Sequence, residues 1–170
     1  MEKVLPRIYQ KSADFLISAV KDVMETMVFM DMSPSEPTQP EGTSLAGDVV
    51  STLGFTGTEN GIFVTSVGMD LARKITANML GMEEEEIQDK SEISDAMGEL
   101  TNMIAGNVKV LWSDEGWEME ISVPVVMAGK ELEARFSRNL VEGAAVDFVN
   151  EDGERLRVEI RLGENPIENG

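Results

Sequence analysis

Apolar positions along this chain recur with two periods, one near 3.6 residues and one of two, and they divide it into helices and strands. Residues 12–30, SADFLISAVKDVMETMVFM, place apolar side chains at Phe15, Ile17, Ala19/Val20, Val23/Met24, Met27 and Val28, which predicts a helix with Ser12 as its N-cap. The Pro-rich stretch SPSEPTQPEG (33–42) breaks that pattern and reads as a long connector. GDVVSTLGFTG and NGIFVTSVG are β-branched runs separated by Thr58-Glu59-Asn60-Gly61, and the Asn-Gly pair signals a hairpin. MDLARKITANML returns to helical spacing at Leu71, Ile75 and Leu80, with Gly81 placed to cap it.

A second long helix is predicted from about Ser91 to Leu111. Beyond it, WEMEISVPVVMAG, KELEARFS, GAAVDFVN and RLRVEIRL are strand-like, the last two joined by Asn150-Glu151-Asp152-Gly153. The order α-β-β-α-α-β-β-β-β, with short links, predicts an α+β fold. It should hold an antiparallel sheet of about six strands with the helices packed on it. Residues 1–163 form a single domain in this reading, and 164–170, ENPIENG, a frayed tail.

On the second long helix, Ile93, Ala96, Met97, Leu100, Met103, Ile104, Val108 and Leu111 make one apolar stripe. Asp95, Glu99 and Asn102 lie on the opposite side, within about 60° of one another at 100° per residue. Gly106 falls on their line and Gly98 flanks it. An exposed glycine inside a helix costs about 1 kcal/mol against alanine, so both call for a reason. Close approach of a binding partner is one, and close packing on the sheet is the other. Asn107 falls on the apolar side and reads as a helix-packing amide. Trp112 and Trp117, flanking SDEG, read as core or rim aromatics.

Composition narrows the chemistry. The chain has 170 residues, no His and no Cys, which removes His-based triads, thiol nucleophiles and His- or Cys-ligated zinc. The net charge of −18, without a Lys/Arg cluster, argues against nucleic acid and anionic membranes as partners. The start, MEKVLPRIYQKSADF, lacks the apolar core of a signal peptide, and the lack of cysteine fits a cytoplasmic address. Twelve Met supply adaptable apolar packing. The run Glu83–Glu86 reads as a solvated loop or helix start, because four adjacent carboxylates cannot converge from one helix face.

The pattern D-x3-E-x2-N at Asp95, Glu99 and Asn102, followed by Pro124, resembles the active-site signature of the CheC/CheX/FliY phosphatases of phosphorylated CheY-type receiver domains. The run AMGELTNMIAGNVK and the N-terminal KDVMETMVFMDM are similar to the CheX branch. The spacing from Asn102 to Pro124 is one residue shorter than that pattern. The resemblance implies a CheC/CheX-like fold and a homodimer. It also implies hydrolysis of a receiver's aspartyl phosphate, in chemotaxis or another two-component pathway. Asn102 would hold the attacking water and Glu99 would pair with the receiver's active-site Lys, with Asp95, Gly98 and Gly106 at the contact surface. No metal or cofactor of its own is implied, the Mg²⁺ coming with the receiver. A non-catalytic adaptor that binds receivers is the alternative. Laid on the second long helix, the first helix puts Phe29 or Val28 opposite Asn102, so one active site per chain is expected.

Overall fold

The structure is a computed structural model that describes residues 5–40, 44–135 and 140–163. Three helices, α1 (Leu5–Val23), α2 (Met69–Leu80) and α3 (Lys90–Asp114), pack on a seven-stranded antiparallel sheet. Its strands are β1 (Ser33–Pro34), β2 (Ser44–Gly57), β3 (Gly61–Val67), β4 (Met119–Ile121), β5 (Val125–Arg135), β6 (Leu140–Val149) and β7 (Arg155–Gly163). Their order is β1-β6-β7-β3-β2-β4, and β5 follows β4 along the same edge of β2. The α+β reading holds, and the seventh strand comes from the Pro-rich connector. Ser33 and Pro34 pair with Val149 and Phe148, and Thr38 exchanges both backbone hydrogen bonds with Ala145. Proline has no N–H to donate, so such a segment fits only at a sheet edge.

Several boundaries move, each for a local reason. Helix α1 begins seven residues before Ser12, and Ser12 is a buried interior residue, not a cap. Pro6 sits in its first turn, where no backbone N–H is needed. The helix runs on as a π turn over Met24–Val28 and stops at Phe29, which has a left-handed φ of 57°. The β2–β3 hairpin forms, but Gly61 belongs to β3. A Cβ there would lie 2.1 Å from the Arg161 carbonyl oxygen, so glycine is required for strand contact, not for a primed turn. The strand break expected near Gly129 occurs at Ser122–Pro124 instead, and β5 continues through Gly129. Pro124 cannot donate to the ladder with β2. Gly81 caps α2 at φ 66°, and Gly153 turns β6 into β7 at φ 79°, as expected. The tail 164–170 lies outside the described residues.

Strand β7 is central to the sheet. Leu156, Val158, Ile160 and Leu162 alternate into the core with Leu16, Val20, Phe63, Phe148 and Leu100. Its other face carries charge, exposed at Arg155 and fully buried at Glu159 and Arg161. Arg161 Nε donates to Glu159 at 2.8 Å, with both residues 1% exposed. Arg157 Nε donates to the second Glu159 oxygen at 2.9 Å and reaches Asp147 at 3.3 Å. Trp112 is fully buried, edge-on to Phe55 and to Trp117, which settles both tryptophans into the core layer. The Glu83–Glu86 run forms a single 3₁₀ turn in which Glu83 N–H donates to the Glu86 carboxylate at 2.9 Å.

Candidate functional site

Helix α3 starts at an Asp89 N-cap, whose side chain accepts from Ser91 N–H at 2.9 Å. That bond holds the Asp89 carboxyl below its ordinary value of 3.8. The predicted stripe forms over most of its length: Ile93, Ala96, Met97, Leu100, Ile104 and Val108 are buried, Met103 lies at its border, and Leu111 is only half-buried. A buried hydroxyl pair adds a directional tie. Thr101 Oγ1 lies 2.9 Å from Thr65 Oγ1 of β3 and also donates to Met97 O at 2.9 Å. Thr101 falls on the inner side by the same 100° arithmetic that places Asn102 on the outer one. The sequence reading did not single Thr101 out, although its place on the inner side of the helix was the signal that could have found it.

Asp95 and Glu99 are exposed and Asn102 is half-buried, along one line of the helix. Among the described residues, none of the three is held by another side chain, so all remain available to a partner. Asn107 is half-buried rather than in the core, and its amide donates to Asp22 of α1 at 3.0 Å. That bond clamps α1 to α3. It also occupies Asp22, which aligns with Asp95 in the register that puts Phe29 opposite Asn102; in the other register the residue opposite Asn102 is Val28, fully buried. Sequence reasoning gave Asn107 a packing role without seeing Asp22 as its partner, because nothing in one chain's periodicity pairs two helices.

The two glycines separate. Gly98 is buried, and a Cβ there would lie 3.1 Å from Val126 Cγ2 and 3.7 Å from Pro124 Cγ. Its close approach is therefore to its own sheet, at the break between β4 and β5. Gly106 is half-buried with nothing within 4 Å of where a Cβ would be. Space at Gly106 opens outward, on the Asn102 line. Pro124 packs beside Gly98 and so supports the motif helix from beneath.

An amide and a carboxylate one turn apart can hold a water and pair with a cation. With no His or Cys in the chain, neither belongs to a Ser–His or Cys–His nucleophile pair. Among the described residues, no group of three or more carboxylates converges to hold a metal ion. No described helix is long and apolar enough to cross a membrane.

Residues 49–148 match the family model described as chemotaxis phosphatase CheX. A curated relative, the CheY-P phosphatase CheX of Thermotoga maritima, is 24% identical over 148 residues, covering 87% of this chain and 94% of the relative. The crystal structure of a chemotaxis protein CheX from Desulfovibrio desulfuricans superposes with a TM-score of 0.80 at 27% identity, covering 89% of this chain and 99% of that one. A CheX–CheY–BeF3–Mg²⁺ complex from Borrelia burgdorferi shares the fold at a TM-score of 0.72 and 19% identity, covering 92% and 98%. The matched segment holds the whole of α3 and more than half of the chain, and the chain belongs to the chemotaxis phosphatase CheX family.

Proposed function

We propose that this protein hydrolyses the aspartyl phosphate of a phosphorylated CheY-type receiver domain in chemotaxis signalling. The observation that carries the reading is the unpartnered line Asp95, Glu99 and Asn102 on the outer face of α3, in a chain of the CheX family. The Asn102 amide oxygen accepts a hydrogen bond from a water and aims it at phosphorus, in line with the aspartyl oxygen. Water oxygen bonds to phosphorus, the P–O bond to the aspartyl group breaks, and the receiver regains its carboxylate as inorganic phosphate leaves. An amide suits this task because it is uncharged and does not repel the phosphoryl oxygens. Phosphoryl transfer of this kind depends chiefly on positioning and charge stabilisation.

Glu99, one turn before Asn102, pairs with the receiver's active-site Lys and sets the distance of the amide from phosphorus. Such a pair, desolvated at an interface, counts for more than an exposed one. The Mg²⁺ belongs to the receiver, a reading supported by the relative's complex, whose CheY partner is accompanied by BeF3 and Mg²⁺. Asp95 and Gly106 border the contact, and Gly98 serves it from below by letting α3 settle on the sheet. The protein acts in this reading in the cytoplasm, on a protein substrate, without nucleic acid or membrane. It also pairs with a second copy of itself. The outer edge of β5, unpaired among the described residues and carrying Val125 at 60% and Met127 at 40% exposure, supports that homodimer.

The test is phosphate release from a Mg²⁺-loaded, phosphorylated receiver. The protein should accelerate it, and Asn102→Ala should lose about 10²-fold of that acceleration while keeping the parent's thermal midpoint. Equal rates for Asn102→Ala would remove the mechanism. Receiver binding without acceleration by the parent protein would make it an adaptor instead.

A further inference from the structure

Beside the motif line, α3 forms one wall of an open groove of about 600 Å³. Its apolar lining comes from three elements. Met27 projects from the π turn after α1, Met79 and Leu80 from the end of α2, and Met103 from α3. Met27 is 47% exposed and Leu80 50%, large apolar side chains that the fold leaves uncovered. Apolar patches with a polar rim mark interaction surfaces, and methionine supplies a floor that adapts to its occupant. The rim is Glu92, Asp95 and Glu99, three carboxylates, and none of the described residues that line the groove is Lys or Arg.

Asp95 and Glu99 thus belong to two features at once, the groove wall and the line that ends at Asn102. A partner that brings a phosphoryl group to Asn102 must cover the groove. Glu99 is matched by the receiver's active-site Lys, which leaves Glu92 and Asp95 facing the same partner without cations. The charge problem is general, because this chain carries a net charge of −18 and must still dock on a phosphorylated protein.

We propose that the groove takes a surface segment of the receiver, next to its phosphorylation site, in which an exposed apolar side chain is flanked by Lys or Arg. The apolar side chain enters between Met27, Met79, Leu80 and Met103, and the flanking cations meet Glu92 and Asp95. The groove then selects among receivers of one cell that share the same phosphorylation chemistry, accepting those with a basic-flanked apolar side chain and repelling those with carboxylates there. This rests on the phosphatase reading for the identity of the partner, and on the groove for its chemistry.

Two measurements on the full chain separate the two readings. One is the Kd for a beryllofluoride-activated, Mg²⁺-loaded CheY-type receiver, and the other is the rate of phosphate loss from the phosphorylated receiver. Met27→Glu and Leu80→Glu, both at exposed positions, should each weaken Kd about tenfold, and the loss should fall on KM rather than kcat. Glu92→Lys should weaken it further at low salt than at high salt. Asn102→Ala should show the reverse split, with kcat lost and Kd kept. A Kd within twofold of the parent for both Met27→Glu and Leu80→Glu overturns the groove and leaves the phosphatase intact. Receiver binding without faster hydrolysis by the parent protein overturns the phosphatase, and the groove then stands or falls on Kd alone. Failure of every receiver to bind overturns both.

Discussion

At the scale of single residues, the two glycines of α3 give the sharpest contrast. Both weaken the helix to the same degree by intrinsic propensity, about 1 kcal/mol against alanine. Gly106 has free space where a Cβ would go, whereas Gly98 meets Val126 Cγ2 at 3.1 Å. Gly106→Ala should therefore raise stability by about 1 kcal/mol in urea unfolding. Gly98→Ala should gain less or lose, because stiff, β-branched Val126 must yield. If Gly106 is kept open for a receiver, Gly106→Ala should also bind the activated receiver more weakly despite its added stability. Unchanged stability in Gly106→Ala would show that the helix is not weakened there. The residue pattern alone offered partner approach and sheet packing as explanations of both glycines; sheet packing accounts for Gly98, and it does not account for Gly106. Nothing in the local sequence distinguishes them, since the difference lies in Pro124 and Val126, far along the chain beyond the end of α3.

At the scale of elements, the sequence was most legible where burial follows one period. The α3 stripe, the α2 cap at Gly81 and the β6–β7 turn at Gly153 all stand where periodicity and turn chemistry put them. It was least legible where long-range pairing overrides local signals. Pro34 pairs in a sheet because Phe148 of β6 lies beside it, and Ser12 is buried because α1 extends past it toward Pro6. Strand β7 shows a third kind of misdirection. RLRVEIRL alternates as a strand with one wet face should, yet Glu159 and Arg161 on that face are buried as a pair. Breaking such a pair strands a charge, at a cost of about 3–5 kcal/mol. Glu159→Ala should show a loss of that order in urea unfolding followed by the fluorescence of buried Trp112. A loss below 1 kcal/mol would mean that the arginines are rehydrated when their partner goes.

At the scale of the whole molecule, the candidate site is a surface, not a cavity, which matches a chain whose chemistry is completed by another protein. Composition pointed the same way, since without His or Cys the chain holds few groups for unaided catalysis. The second molecular question is self-association. The outer edge of β5 is unpaired among the described residues, and Val125 and Met127 are exposed there. Exposed, apolar strand edges pair with other chains unless they are blocked. Sedimentation should show a dimer for the parent chain, and Val125→Lys with Met127→Lys should shift it to monomer with α3 chemistry preserved. A monomeric parent would end the homodimer reading without touching the phosphatase.

The place of β7 in the sheet also governs how the molecule comes into being. It lies between β6 and β3, pairing Leu162 with Gly61 and Arg155 with Val149, yet it is the last described strand in chain order. A ribosome delivers residues at about 5–20 per second. Throughout that interval β2, β3 and the motif helix exist without the strand that joins the two halves of the sheet. Phe63 and Val67 then have only part of their core, and their strand edge is open to any passing chain. Folding must therefore wait for the final strand and close over long sequence separations, which favours slow closure. The motif helix is made early and becomes held in place late, so a truncated product would carry the motif intact on a scaffold that cannot hold it.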